Sequence, residues 1–159
     1  MIINKSFIFY KIYKMSWGAY ITNSLLNRQD ANGHVVNDAL VAAAIVGLNG
    51  AEWAKSNLTV SAAEAKSLVD LFNSKPGTFA AVTLGGKKYQ ITHFEPNNFA
   101  YLKIKDGGAT VCKTNQAFII GVYDTTKKCK RDGKPEPQSV GVCNTVVEEL
   151  AAQLKGQGY

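Results

Sequence analysis

Four aromatic side chains point to a binding surface in this sequence. Trp17 and Tyr20 are three residues apart, which places them on one side of a predicted helix. Trp53 falls in a predicted strand, and Tyr159 ends the sequence. Flat rings with N–H and O–H donors suit a proline-rich segment, which offers rings for stacking and unpaired carbonyls for hydrogen bonds. The alternative is that Trp17, Tyr20 and Trp53 are ordinary core residues.

Residue types that carry catalysis form no recognisable constellation. His34 and His93 are the only histidines and sit in no known motif, and a structural role is favoured for His93. Glu148 and Glu149 are adjacent, so on a helix they point about 100° apart and cannot flank one substrate. No phosphate-binding loop is present. The sequence therefore favours a binding module, although a catalytic group assembled from distant residues stays open.

The cysteines and the hydropathy pattern exclude further classes. Cys112, Cys129 and Cys143 are too few for a disulfide framework and lack metal-ligand spacing. We therefore expect reduced thiols in a cytosolic protein, without metal or cofactor. No apolar run approaches the roughly 20 residues that span a bilayer, which argues against an integral membrane protein.

The net charge of +6 is concentrated in the middle of the chain. Residues 87–134 hold ten basic and four acidic residues, a balance of +6, while residues 1–14, 15–86 and 135–159 carry +3, −1 and −2. Such a basic stretch suits an acidic partner, whether nucleic acid, anionic lipid or an acidic protein face. A solvated face without a partner is the alternative.

The helices and strands that position these side chains are predicted from the hydrophobic periodicity and the turn residues of the sequence. Helices are predicted over residues 16–28, 61–75 and 140–156, the second opening on a Ser61–Glu64 capping box. Strands are predicted over 39–48, then through Trp53 after an Asn49-Gly50 hairpin, and over 78–84, 88–94, 99–105, 110–113 and 117–123. Residues 27–38 and 124–139 are predicted loops. The order indicates an α+β domain with one antiparallel sheet and terminal helices packed on it.

The first 14 residues differ from the rest of the sequence. They contain three lysines, no acid and no small-residue cleavage site after an apolar stretch. We expect a disordered extension over residues 1–14, before a second start at Met15, and one domain over 15–159. A membrane-surface tag is the alternative for the extension.

From Met15 onward the chain resembles the profilins. The matching segments occur in order over residues 15–159: MSWGAYI at 15–21, AAIVGLNG at 43–50, WAKS at 53–56, KT at 113–114, AFIIG at 117–121 with Tyr123, GVCN at 141–144, VVE at 146–148 and LAAQLKGQGY at 150–159. The resemblance implies a central antiparallel sheet, with the N- and C-terminal helices on one face and smaller helices on the other.

The same resemblance implies a function and a set of partners. It implies a non-enzymatic, mostly monomeric protein of the cytoplasm and cytoskeleton that binds no nucleic acid. It would bind monomeric actin, proline-rich proteins such as formin-type assembly factors, and phosphatidylinositol bisphosphate at a membrane surface. In this way it would regulate filament assembly.

The resemblance to the family implies three sets of site residues at matching positions of this sequence. The proline-binding set is Trp17, Tyr20, Asn23, Trp53 and Tyr159. The actin-binding set is Lys103, Lys105, Lys113, Val142, Asn144 and Glu149. The phosphoinositide-binding set is Lys87, Lys88, Lys103 and Lys105.

The chain departs from the family pattern at a few places. The family usually has a histidine or tyrosine six residues before the last aromatic, and here that residue is Gln153, which we expect to weaken or reshape one end of the groove. The longer segment 124–139 carries Lys127, Lys128, Lys130 and Arg131, which would either extend or obstruct the actin face. A basic nucleic-acid-binding module and, third, a small enzyme are the competing interpretations.

Overall fold

The computed structural model describes residues 16–159. The expected extension over residues 1–14 lies outside the described residues. Within the described range, a seven-stranded antiparallel sheet forms the centre of the molecule, in the order β4-β3-β9-β8-β7-β6-β5. Its strands are β3 (Ala42–Gly47), β4 (Glu52–Ser56), β5 (Ala81–Leu84), β6 (Lys87–Glu95), β7 (Phe99–Ile104), β8 (Gly107–Lys113) and β9 (Ala117–Asp124).

Tight turns connect the strands of this sheet, as predicted. Gly50 occupies the hairpin between β3 and β4 with φ of 90°, a conformation that glycine adopts without strain. Strands β5 to β9 follow one another as an antiparallel meander, and β9 then pairs with β3. The α+β class and the antiparallel pairing expected from the sequence are confirmed.

A second, four-stranded sheet corrects the prediction of a single sheet. It consists of β1 (Arg28–Gln29), β2 (Val35–Asn37), β10 (Lys128–Arg131) and β11 (Lys134–Pro137), in the order β1-β2-β10-β11. The segments 27–38 and 124–139, predicted as loops, each contribute two of these strands. Lys130 pairs with Asn37 and Arg131 with Val36, so the two segments hold each other in place.

The terminal helices pack on one face of the large sheet. Helix α1 (Trp17–Tyr20) begins at Ser16, whose hydroxyl accepts a hydrogen bond from the Ala19 N–H at 3.1 Å. It continues as a π-helical segment, Ile21–Leu26, and ends before Arg28, so the predicted α-helix over 16–28 is shorter and changes type. Helix α3 is Val140–Gly156.

Helix α2 (Ala62–Phe72) packs on the opposite face and opens on the predicted capping box. The Glu64 carboxylate accepts from the backbone N–H of Ser61 at 3.1 Å, and also from Gly85 at 3.0 Å and Gly86 at 2.9 Å. This one side chain therefore connects the start of α2 to the turn between β5 and β6. Within residues 16–159, α2 is the helix found on this face.

Successive side chains of each strand point to opposite faces of the large sheet, so the core consists of two parts. On β9, Ile119 faces the terminal helices and packs with side chains such as Leu25, Val147 and Leu150. Its neighbours Phe118 and Ile120 face α2 and pack with side chains such as Leu68 and Phe72. Of the helices in the described residues, none combines the length and apolar character needed to cross a bilayer.

Candidate functional site: an aromatic cluster and a sheet face beside the last helix

The four predicted aromatics meet in one cluster, which we call the aromatic cluster: Trp17, Tyr20, Trp53 and Tyr159. The Trp17 ring centroid lies 4.6 Å from that of Trp53, 5.0 Å from Tyr159 and 5.5 Å from Tyr20. Trp17 and Trp53 are half-buried, and Tyr159 is 38% exposed. Trp17, Trp53 and Tyr159 therefore contribute to the surface, whereas Tyr20 is buried beneath them.

Close packing of the backbone brings Trp53 to this cluster. A Cβ atom at Gly47 would lie 2.9 Å from the Trp53 Nε1 atom and 2.8 Å from the Asn49 side-chain oxygen. Any larger residue at position 47 would displace the indole, since real Cβ atoms do not approach so closely. The Gly47-Leu48-Asn49-Gly50 run thus supplies both the turn and the room for the ring.

The end of the chain is held in place by hydrogen bonds. The Tyr159 N–H donates to the Leu154 carbonyl at 2.9 Å, and the Tyr159 carbonyl accepts from the Asn115 N–H at 3.1 Å. The Gln116 side-chain amide also donates to the Gly158 carbonyl, at 3.4 Å. The turn between β8 and β9 therefore fixes Tyr159, a role of Asn115 and Gln116 that the sequence motifs did not indicate.

Tyr20 connects the first helix to the last. Its ring is buried, and its hydroxyl donates to the Gln157 side-chain oxygen at 3.1 Å. Burial raises the pKa of Tyr20, so the hydroxyl remains a donor at neutral pH. The hydrogen bond from Tyr20 to Gln157 thus orients the Tyr20 side chain. In the sequence, the signal for this role is the position of Gln157 one residue after the end of α3.

Asn23 and Gln153 lie beside the aromatic cluster rather than within it. Both are exposed, and both line a depression of about 320 Å³ between the π-helical segment and α3. Arg28 and Glu149 also line this depression, and their side chains form an ion pair.

A second aromatic group, missed from the sequence, lies on the sheet beside α3. We call it the aromatic ladder: His93, Phe99 and Tyr101. Phe99 stacks on Tyr101 at 4.5 Å and on His93 at 5.4 Å between ring centroids. The Tyr101 hydroxyl donates to the Glu148 carboxylate of α3, and burial together with this bond raises the Tyr101 pKa. His93 is exposed, so its role differs from that of a core histidine.

The predicted actin-binding residues do not all share this face. Lys103 is exposed and follows Tyr101 by two residues on β7, so it lies on the ladder's side of the sheet; the exposed Lys105 follows in the turn between β7 and β8. Lys113 pairs with Phe118, whose side chain faces α2, so Lys113 belongs to the opposite side.

The three predicted actin-binding residues on α3 differ in accessibility. Asn144 is half-buried and accepts a hydrogen bond from the Thr110 hydroxyl. Val142 is buried in the core, 7% exposed, which leaves little surface for a partner. The Glu149 carboxylate is engaged by Arg28.

Two of the four predicted lipid-binding lysines, Lys88 and Lys103, share the ladder's face. Lys103 pairs with Gln90, and Lys88 is two residues before Gln90 on β6. Lys88 and Lys103, together with Lys105 in the adjoining β7–β8 turn, form a basic group beside the ladder. Lys87 pairs with Leu84, which packs against the α2 core, so Lys87 points to the other side.

A wider, open cleft of about 1000 Å³ separates the small sheet from the start of α3. Charged side chains line it: Arg131 forms an ion pair with Glu136 at 2.9 Å, and the His34 Nδ1 atom lies in hydrogen-bond contact with Asp132 at 3.1 Å. Arg131 and Glu136 lie on the paired strands β10 and β11, and the His34–Asp132 contact joins the turn before β2 to the turn between β10 and β11.

Within residues 16–159, neither the cysteine thiols nor the His, Asp and Glu side chains form a reactive centre. Cys112, Cys129 and Cys143 are all buried free thiols. Burial raises the pKa of Cys112 and of Cys143 to about 12, so both are protonated at neutral pH. Within residues 16–159, no three His, Cys, Asp or Glu side chains lie close enough together to hold a metal ion.

Comparisons with known proteins agree with this architecture. Acanthamoeba castellanii profilin IB is 29% identical, with a TM-score of 0.71 over 91% of this chain and 100% of that one. LokiProfilin2, solved in complex with rabbit actin, is 18% identical, with a TM-score of 0.57 over 76% of this chain and 87% of that one. Mouse profilin IIa, solved with a double repeat from the FH1 domain of mDia1, is 17% identical, with a TM-score of 0.56 over 76% and 89%.

A model of the family supports the same assignment over more of the sequence. The profilin family model matches residues 15–159, which includes every residue of the aromatic cluster and of the aromatic ladder. The chain belongs to the profilin family.

Proposed function

We propose that this protein binds an actin monomer and a proline-rich segment of another protein at the same time, and so regulates filament assembly without catalysis. The observation that carries the proposal is the aromatic cluster, in which Trp17 is surrounded by Tyr20, Trp53 and Tyr159 within 5.5 Å.

The aromatic cluster suits a polyproline II helix for two physical reasons. Such a helix has no internal hydrogen bonds, so its carbonyls are free to accept from the indole N–H groups and the Tyr159 hydroxyl. It is also extended before it binds, so it loses little conformational entropy on docking. Mouse profilin IIa, solved with FH1 repeats, lends support through the shared family.

The actin monomer would bind the sheet face that carries the aromatic ladder. Phe99 and Tyr101 supply an apolar centre, Lys103 and Lys105 supply basic neighbours, and Asn144 lies at the start of α3. An apolar centre with a polar rim is the usual composition of protein interfaces. LokiProfilin2, solved with rabbit actin, supports this part of the proposal through the family relation.

The two surfaces are separate, which allows both partners to bind together. Helix α3 contacts the ladder through Glu148, whereas Gln157, about two and a half turns later, contacts the aromatic cluster. A proline-rich assembly factor would then hold actin monomers near a growing filament end and raise their effective concentration.

The basic group beside the ladder would bind phosphatidylinositol bisphosphate. Lys88 and Lys103 share one face, Lys105 follows in the β7–β8 turn, and Lys87 lies at the same end of β6. Because Lys103 and Lys105 belong to both proposed surfaces, the lipid and actin would compete. We further propose a mostly monomeric protein of the cytoplasm and cytoskeleton.

The test uses two variants that affect one surface each. Tyr101→Ala should weaken inhibition of actin polymerisation at least tenfold while retention on polyproline resin is unchanged. Tyr159→Ala should weaken retention on the resin while actin inhibition is unchanged. Polymerisation of pyrene-labelled actin and resin binding are the two measurements. Wild-type protein that neither inhibits polymerisation nor binds the resin would contradict the proposal.

A further inference from the structure

The turns at one end of the large sheet carry an excess of lysine residues. Strands β5 to β9 form an antiparallel meander, so the β5–β6 turn, the β7–β8 turn and the turn after β9 all lie at the same end of it. We call this the basic end and define it by four exposed lysines: Lys87 at the start of β6, Lys105 in the β7–β8 turn, and Lys127 and Lys128 where β10 begins.

Hydrogen bonds between the turns bring these lysines together. The Thr125 N–H and hydroxyl both donate to the Asp106 carbonyl, at 2.8 and 3.1 Å, so the turn after β9 lies against the turn that holds Lys105. The Gln138 N–H donates to the Lys127 carbonyl at 2.9 Å, which places the start of α3 at the same end of the sheet. The basic end is therefore one continuous surface.

Carboxylates balance only part of its charge. Two hydrogen bonds from Thr126 lower the pKa of the Asp124 carboxyl, and the nearby charges of Lys127 and Lys87 lower it further. Four carboxylates in total lie near the basic end: Asp38, Glu64, Asp106 and Asp124. Three further exposed lysines lie within two residues of the first four: Lys88, Lys103 and Lys130. Seven lysines against four carboxylates leave an excess of positive charge.

An exposed apolar side chain lies beside these lysines. Val140, the first residue of α3, is 50% exposed and follows Gln138 by two residues, so it is close to Lys127. Lysines around an apolar side chain are typical of surfaces that bind anionic membranes. The charges meet the lipid headgroups, while the apolar group enters the boundary with the acyl chains.

Both the spread of the lysines and the exposed valine favour a membrane over other acidic partners. The lysines of the basic end come from three turns, and none of the four lines either of the two cavities described above. They therefore suit an extended negative surface better than a small ligand. Nucleic acid is also extended and negative, but its phosphate backbone offers no apolar phase for Val140 to enter.

The aromatic cluster lies at the other end of the sheet. Strand β9 connects the two ends: Ala117 follows the β8–β9 turn that holds Tyr159, and Asp124 lies at the basic end. Its 8 residues, at about 3.4 Å each, separate the two ends by about 25 Å. A surface that contacts the basic end therefore leaves the aromatic cluster uncovered.

We propose that the basic end docks on the surface of an anionic phospholipid membrane, and that the protein is then oriented end-on, with the aromatic cluster directed away from the membrane and open to a proline-rich partner. The second part rests on the proposed function, because it takes the aromatic cluster as the proline-binding surface. The docking requires negatively charged phospholipid but no inositol phosphate. It depends on Lys127 and Lys128, which lie outside the phosphoinositide-binding set.

Co-sedimentation of the full chain with vesicles tests the docking. The vesicles contain phosphatidylcholine with or without phosphatidylserine, and no phosphoinositide; wild type should sediment only with phosphatidylserine. Each lysine near an anionic membrane contributes about fivefold in affinity, so Lys127→Gln/Lys128→Gln should bind about 25-fold more weakly. Lys75→Gln/Lys155→Gln, which removes two exposed lysines away from the basic end, is the matched control and should bind as wild type does.

A fluorescent label reports the orientation. Cys112, Cys129 and Cys143 are buried, so an introduced surface thiol can be labelled selectively with an environment-sensitive dye. On vesicles with phosphatidylserine, the emission of a dye attached to Val140→Cys should shift to shorter wavelength. A dye attached to Phe79→Cys should not respond, because Phe79 is exposed at the far end of β5, about 16 Å from the β5–β6 turn.

A labelled polyproline peptide tests whether the aromatic cluster stays open. With wild type present, the peptide should sediment together with the phosphatidylserine vesicles. Trp17→Ala should bind the vesicles as wild type does and leave the peptide in solution, since it alters the aromatic cluster alone. Peptide that binds wild type in solution but is excluded from the vesicles would contradict the end-on orientation.

Other results would overturn the docking itself. These are vesicle binding that requires phosphoinositide, equal vesicle affinity of Lys127→Gln/Lys128→Gln and wild type, or a dye response at position 79 without one at position 140. Binding of single-stranded RNA without binding to vesicles would assign the basic end to nucleic acid instead. If polyproline fails to bind in solution, the proposed proline site fails, whereas the vesicle and dye measurements still decide the docking.

Discussion

The indoles of Trp17 and Trp53 lie 4.6 Å apart between ring centroids, although one comes from the first helix and the other from a β-strand. The pair is tilted by 41°, and both side chains are half-buried. Trp17 also contacts Tyr159 and Tyr20, which makes it the central ring of the aromatic cluster.

Replacing this central ring should remove most of the proline binding. Trp17→Ala takes away the side chain that touches the other three rings, and a central tryptophan anchor commonly contributes 2 kcal/mol or more, about thirtyfold in affinity. Calorimetric titration with polyproline measures the loss. Phe79→Ala, an exposed aromatic outside the cluster, is the control. A Trp17→Ala protein that binds within threefold of wild type would rule out this role.

Tyr159 should contribute less than Trp17. Its ring is 38% exposed and touches Trp17 edge-on, whereas its backbone is fixed by Asn115 and Leu154. Tyr159→Ala keeps these backbone bonds and removes only the ring, so we expect a loss of about three- to tenfold in polyproline affinity. The same calorimetric titration applies. A loss larger than that of Trp17→Ala would reverse the assignment of the central ring.

Much of the large sheet could be predicted from the sequence because its signals are local. The Ser61–Glu64 capping box and the Asn49-Gly50 turn act over three or four residues, and both formed as expected. The small sheet could not be predicted in this way. Its strands have two to four residues, and β2 finds its partner β10 far along the chain. Pro135 and Pro137 argued further against a strand, yet β11 lies at the sheet edge, where proline is tolerated.

In the candidate site, too, some contacts follow from the local spacing of residues, whereas others depend on the packing of distant segments. Spacing alone placed Trp17 beside Tyr20, but the contact with Tyr159 depends on how α3 and the β8–β9 turn pack. The aromatic ladder was missed because His93 and Tyr101 are opposite each other only after a register shift between Ile91 and His93. The π-helical segment likewise has no signature in the spacing of its side chains.

Lipid binding should depend on charge and on the basic group beside the ladder. Lys103→Glu/Lys105→Glu reverses two exposed charges of the basic group, so binding to vesicles that contain phosphatidylinositol bisphosphate should fall at least tenfold. Raising the salt concentration to several hundred millimolar should abolish most wild-type binding, since exposed charges are screened. Co-sedimentation with the vesicles is the measurement. Lys66→Glu/Lys75→Glu, which reverses two charges on and just after α2, should bind normally. Binding that ignores salt would indicate insertion of apolar side chains instead.

Glu64 should stabilise the fold through its three backbone hydrogen bonds. Glu64→Ala leaves the N–H groups of Ser61, Gly85 and Gly86 to water, which we expect to reduce the free energy of unfolding by about 1–2 kcal/mol. The melting temperature should fall by several degrees, measured by circular dichroism. Asp70→Ala, which breaks only the exposed i,i+4 pair with Lys66, should change it little. Equal effects of the two variants would contradict the role given to Glu64.

The buried thiols should make the protein less stable in alkali. The Cys143 pKa is raised to about 12 by burial, whereas the unfolded thiol titrates near 9. Below pH 9 both states hold the proton, so the thiol's contribution to stability is fully present. As pH rises from 9 to 12 only the unfolded state releases it, and stability falls by at most about 1.4 kcal/mol per pH unit.

The slope of unfolding free energy against pH, measured by urea denaturation between pH 8 and 11, checks this expectation. Cys143→Ala should have a shallower slope than wild type, whatever its absolute stability. Thr145→Ala, which removes a hydroxyl that does not titrate in this range from the same helix, should keep the wild-type slope. An unchanged slope in Cys143→Ala would show that this thiol does not control the alkaline limit.

The hydrogen bond between Tyr20 and Gln157 joins residues 137 positions apart. During synthesis on the ribosome, Trp17 and Tyr20 leave the exit tunnel long before the residues that complete their surroundings. In a nascent chain, the proposed proline-binding surface is therefore unfinished until α3 has been released and has docked. Capture by a proline-rich partner would thus distinguish molecules in which α3 has docked from those that lack it.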